Sequence, residues 1–171
     1  IKDSLIVIMP HSLEYINFSE ADNFSQLIDS IKTLSKKFNK VDCLVYFDDY
    51  VKKTYQNYFN NLNINLICGA RANSANALNH IREIFDKYEY VVSNCMGSAL
   101  LYAMFCNCKV SIMEPFFNYS YEFWNSDPYL RNNKKIIELM NFHHSEEFLR
   151  KKYNFLFKSD PKLSEKNYTL A

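Results

Sequence analysis

The chain has 171 residues, 48% of them hydrophobic and 16% aromatic, which suffices for one domain with its own core and excludes a disordered polymer. With 20 basic and 19 acidic side chains the net charge is +1, so the charge balance makes no case for a nucleic-acid partner. No apolar run approaches the roughly 20 residues that span a bilayer, and the start of the chain lacks the pattern of a signal peptide.

Residues 5–9, "LIVIM", form a short apolar run stopped by Pro10, which predicts a strand buried on both faces. A polar and aromatic loop follows over 11–22. Phe24, Leu27, Ile28, Ile31, Leu34 and Phe38 then recur at helical spacing, with Asp22 or Asn23 as the cap. Residues 41–47 read as the second strand, ended by Asp48 and Asp49, whose charges favour the start of a helix over about 50–60. The third strand is 64–67, ending at Cys68-Gly69.

Asn73 or Ser74 opens the next helix, with Ala77, Leu78, Ile81, Ile84 and Phe85 on one face. Residues 90–92 form the fourth strand and 97–105 a short helix so apolar that burial is expected. The fifth strand is 109–113, stopped by Glu114-Pro115. Beyond it, 116–129 read as irregular and aromatic, 131–141 and 145–157 as helices, and 158–171 as a polar tail. Ser145 is the expected cap of the last helix, with His143-His144 at the junction before it. The alternation predicts a Rossmann-like three-layer α/β/α fold, with a five-stranded mainly parallel sheet and extra C-terminal helices. Residues 1–157 are expected to form a single domain.

Cys43, Cys68, Cys95, Cys106 and Cys108 are odd in number and mostly lie in apolar runs, which fits free thiols in a reducing compartment. Cys106-x-Cys108 lacks the second ligand pair of a structural zinc site, so neither a metal site nor a cofactor is expected.

In an open parallel sheet, ligands bind outside the carboxyl ends of the strands. That rule selects His11 and Ser12, Asp48 and Asp49, Gly69 and Arg71, the turn with Ser93, Asn94, Gly97 and Ser98, and Glu114. The fourth turn has the clearest chemistry. A helix starting near Gly97 offers free N–H groups and a positive dipole end to a phosphate, and Ser93, Asn94 and Ser98 can add hydrogen bonds. A helix cap and a tight turn account for the same residues. His11, Asp48 and Asp49 are the catalytic candidates, His11 as a general base or phosphate ligand and the acidic pair to activate a hydroxyl or bind a metal. Helix capping equally explains the acidic pair. Arg71 can neutralise a phosphate and Glu114 can accept from ribose hydroxyls. The aromatic residues between Phe116 and Trp124 can stack on a ligand or cover other protein.

The segment "YEYVVSNCMGSALLYAMFCNCKVSIMEP" (88–115), with the strand and helix order before it, resembles the donor-binding, C-terminal half of GT-B glycosyltransferases of bacterial capsule and lipopolysaccharide assembly. The resemblance covers about 4–115 and is sharpest over 90–113, where "CNCKVSI" (106–112) takes the place of a "gKPV"-like strand. It implies a UDP-, GDP- or CMP-sugar donor with its phosphate at the Ser93–Ser98 turn. His11 and Ser12 would face the donor, and Gly69 and Arg71 would border the base or ribose.

It further implies a glycan acceptor and a cytoplasmic site at the inner face of the membrane. A second Rossmann-like half before Ile1 would bring the acceptor site and peripheral membrane association. Two positions depart from the family pattern. Phe47-Asp48-Asp49 stands where many members carry His-Pro, and Tyr102 precedes Ala103 where several carry Glu. Other function classes remain open: a non-catalytic module forming a homo-oligomer or heteromer through 116–124, and a sugar-phosphate isomerase or epimerase using His11 with Asp48 or Asp49. No glycine follows the first strand, so the dinucleotide fingerprint is absent, as are a P-loop and a G-x-S-x-G elbow.

Overall fold

The computed structural model describes residues 1–10, 24–60, 62–71 and 73–166. Its centre is a five-stranded sheet of β1 (Ser4–Ile8), β2 (Lys40–Val45), β3 (Ile64–Cys68), β4 (Tyr90–Ser93) and β5 (Lys109–Ile112). The order across the sheet is β3-β2-β1-β4-β5 and every pairing is parallel. Leu5 lies opposite Val41 on one side and Tyr90 on the other.

The apolar runs become strands because both faces of the sheet are covered. Successive side chains point to opposite faces. Leu5 and Val7 of β1, with Val41, Cys43 and Val45 of β2, join the core beneath α1 (Phe24–Ser35). Ile6, Leu44 and Val91 join the opposite core, with Ile84 and Phe85 of α4 (Ala77–Phe85) and Leu100 and Ala103 of α5 (Ser98–Phe105). The result is a Rossmann-like three-layer α/β/α fold.

Several elements differ from the sequence reading. The helix expected over about 50–60 is two short pieces, α2 (Phe47–Val51) and α3 (Gln56–Phe59). Lys53 between them has φ 58°, a left-handed conformation that interrupts a right-handed helix. Asp48 and Asp49 therefore lie inside the first turn of α2. The fourth helix begins at Ala77, after a turn in which the Ala77 N–H donates to the Ser74 carbonyl at 3.1 Å. The caps proposed at Asp22 and Asn23 lie outside the described residues.

Helix α5 is not wholly buried. Leu100 and Ala103 are, but Leu101 and Phe105 are 40% and 77% exposed, because a helix on one face of a sheet buries only one stripe. The aromatic stretch read as irregular contains α6 (Tyr121–Ser126), capped by Ser120, whose Oγ accepts from the Phe123 N–H at 3.1 Å. Then come α7 (Lys134–His143) and α8 (Glu146–Tyr153), the latter capped by Ser145 as expected, with Glu146 and Glu147 in its first turn.

Residues 158–166, expected as part of a polar tail, are docked. Phe157 bridges to Ile112 beside β5, Pro161 and Ser164 are buried, and Lys162 pairs with Asp3 at 2.9 Å. Asp160 pairs with Lys37 at 3.0 Å. These contacts tie the segment to the residues just before β1 and just after α1. All five cysteines are free. Among the described residues no helix is long and apolar enough to cross a membrane.

Candidate functional site

Because the sheet is all parallel, its five carboxyl ends share one edge. Chain order reverses between β1 and β4. The first three strands spread to one side of this point and β5 lies on the other, which makes it the switch point where such sheets leave a crevice. Ile8 of β1 pairs with Ser93 of β4, so the turn Ser93–Gly97 stands at this switch point.

The turn is held by its own polar groups and by the segment after β5. The Ser93 carbonyl accepts from the Met113 N–H at 2.9 Å, and its Oγ accepts from the Cys95 N–H at 3.3 Å. The Asn94 carbonyl accepts from the Phe117 N–H at 2.7 Å. Both Ser93 and Asn94 are buried, and among the described residues Asn94 Oδ1 has no hydrogen-bond partner. Cys95 is buried with its Sγ 3.5 Å from the Tyr119 hydroxyl, and burial pushes its thiol pKa up, away from thiolate chemistry.

Gly97 is the N-cap of α5, and among the described residues no side chain caps that helix. Its φ of −158° and ψ of 165° are extended values that any residue adopts, so conformation does not require glycine here. Among the described residues a Cβ at Gly97 would meet nothing within 4 Å, so none of them closes over the backbone at the mouth of α5. Ser98, the first helical residue, is exposed. The leading N–H groups of a helix have no intrahelical acceptor, and these lie where an anion can reach them.

The other candidates are distributed along the same edge. Gly69 closes β3 against β2: its N–H donates to the Val45 carbonyl at 2.7 Å, and a Cβ would stand 2.9 Å from that oxygen. This close approach is a packing reason for glycine. Arg71 is exposed, with its guanidinium 5.5 Å from the centre of the Phe47 ring. Asp48 is exposed, whereas Asp49 is buried and lines a groove of about 410 Å³ between α2, α3 and β3, on the flank of the sheet. The end of β3 is three strand spacings from β4, about 14 Å, so these groups and the α5 turn touch only opposite ends of one ligand.

Glu114 is beside the turn but already engaged. It pairs with Arg150 of α8, and its Oε2 accepts from the Phe116 N–H at 2.8 Å. Arg150 also pairs with Glu146 at 2.6 Å and covers the Phe157 ring at 4.2 Å. The Glu114 carboxylate thus secures α8 rather than standing ready for ribose hydroxyls. It also borders a groove of about 470 Å³ between α1 and residues 158–161. Tyr102 turns to α4, donating to the Leu78 carbonyl at 3.2 Å. His11 and Ser12 lie outside the described residues.

Sequence reasoning missed the packing partners of the turn. Tyr119, Phe123, Trp124 and His144 form one aromatic cluster, with Tyr119 4.9 Å from Trp124 and 5.4 Å from His144 between ring centres. Burial and the neighbouring His143 hold the His144 pKa below its ordinary value. Only the density of aromatic residues after β5 signalled this cluster. Among the described residues no group of His, Cys, Asp and Glu has the arrangement of a metal site. No family model, curated protein or solved structure matches this chain.

Proposed function

We propose that this chain is the donor-binding domain of a GT-B type glycosyltransferase, which holds the phosphate of a nucleotide-sugar at the Ser93–Ser98 turn. The observation that carries the reading is the N-terminus of α5 at the sheet's switch point, which among the described residues has no side-chain cap and nothing packed over Gly97. A helix terminus carries about half a positive charge, and its free N–H groups donate without reorganisation. Ser98 adds an exposed hydroxyl. Rotation of the Asn94 amide would present its NH₂ group to the same anion. The base and ribose would extend over β1 toward Phe47 and Arg71.

Calorimetric titration with UDP, GDP and CMP tests the reading. Binding of one of them, weakened by Ser98→Ala, is the expected result. Absence of binding by all three removes the proposal. A non-catalytic module is the second reading, favoured by the exposure of Leu78, Leu101 and Phe105 on neighbouring helices. It predicts a stable oligomer or heteromer without nucleotide binding.

A further inference from the structure

The outer face of α7 is apolar where solvent normally selects polar residues. Ile137 is fully buried against the domain, yet Ile136, Leu139 and Phe142 are 41%, 55% and 58% exposed. Their spacing of three places them along one side of the helix, with Lys135 beside them at i−4 from Leu139. Phe142 continues this strip onto α8, its ring 4.9 Å from that of Phe148. There the two helices enclose a groove of about 460 Å³, bordered by Lys151 and Lys152 as well as Glu147.

The charges around the strip are not mutually neutralised. Among the described residues Lys135, Lys151 and Lys152 make no ion pair, whereas Glu138 is within 3.7 Å of Lys134 and Glu146 is paired with Arg150. Glu147 is the remaining acid, so the unpaired charge beside the strip is positive. An apolar strip flanked by unpaired lysines matches a surface with hydrocarbon beneath a layer of negative charge.

We propose that α7 and α8 dock this domain on an anionic lipid surface, with Ile136, Leu139 and Phe142 entering the interface and the lysines meeting the headgroups. A second copy of the chain would bury the apolar strip but bring like charges together. The surface is separate from the α5 turn, so the proposal does not depend on nucleotide binding.

Co-sedimentation of the full chain with phosphatidylcholine–phosphatidylglycerol vesicles, against pure phosphatidylcholine vesicles, tests it. Preferential binding to the anionic vesicles, weakening as salt is raised, is expected. Leu139→Glu with Phe142→Glu should lower that binding about tenfold, as should Lys151→Glu with Lys152→Glu. The lysine pair is exposed, so its variant keeps the test open if the apolar pair disturbs folding, which circular dichroism reports. No co-sedimentation with anionic vesicles overturns the proposal. So does equal binding to both vesicle types that neither variant changes. A dimer in light scattering that Leu139→Glu with Phe142→Glu abolishes, without vesicle binding, assigns the face to a second copy and also overturns it.

Discussion

The Phe117 N–H donates to the Asn94 carbonyl at 2.7 Å, joining the segment after β5 to the turn after β4. Through this bond, the aromatic residues that follow are brought over the switch point, where Tyr119 reaches Cys95. The Asn94 side chain is buried, and among the described residues its oxygen has no donor. A buried acceptor without a donor costs about 1–3 kcal/mol, a cost a domain keeps when the group serves another purpose. Asn94→Leu removes that oxygen while keeping the carbonyl that Phe117 uses. We expect unfolding free energy to rise by about 1 kcal/mol in urea denaturation. Affinity for the nucleotide proposed to bind at this turn should fall in the same protein.

The two glycines should respond oppositely to a methyl group. Gly69→Ala places a Cβ 2.9 Å from the Val45 carbonyl oxygen, a contact that must force β2 and β3 apart. Overpacking of this kind costs about 1–3 kcal/mol. Gly97→Ala meets no atom of the described residues and needs no unusual backbone angle, so stability should stay within about 0.5 kcal/mol of the parent. Its effect should appear in nucleotide titration instead. Thermal melts and calorimetry on the two variants separate the outcomes.

Asp42 is a buried carboxylate in the middle of the sheet. It accepts from the Tyr88 hydroxyl, the Lys40 ammonium at 3.0 Å, and the Asn65 N–H and amide at 3.1 and 2.9 Å. Burial by itself pushes its pKa up, but these donors outweigh burial and hold it below the ordinary 3.8. Its folded pKa is depressed, so its contribution is present above the unfolded value and lost as pH falls through the folded one. Tyr88→Phe should cost about 1.5–3 kcal/mol at neutral pH, as a hydrogen bond to a charged group does. The variant should also lose part of the parent's stability decline below about pH 4. Urea unfolding from pH 2 to pH 7 reads both effects.

His144 should act in a different pH window. Its ring packs against Tyr119 and Trp124, and burial followed by the nearby His143 lowers its pKa. The unfolded chain therefore takes up a proton near pH 6.5 that the folded chain resists. The sign follows: stability falls as pH drops below about 6.5 and is regained above it. His144→Phe should flatten the melting temperature between pH 5 and pH 8, measured by calorimetry.

The alternation of strands and helices was legible because apolar runs such as residues 5–9 must be covered on both faces, and intervening helical periodicities provide the cover. Likewise Ser145, three residues before Phe148, announced a cap through purely local chemistry. The edge carrying the candidate site followed from the same alternation, since parallel strands all end together. What the chain order left undecided was which strands are neighbours. The order β3-β2-β1-β4-β5 is set by packing between distant residues, and it alone puts the Ser93–Gly97 turn at the switch point.

The tertiary structure also decided which polar groups are free. Glu114 looks available in sequence, but α8 brings Arg150 to it from 36 residues away. Lys53 breaks a helix through its backbone angle, and Leu101 and Phe105 stay exposed because no later element covers them. Local propensity and period reside in neighbouring residues. Charge pairing, burial and open space depend on which distant segments meet, and only the folded chain determines that.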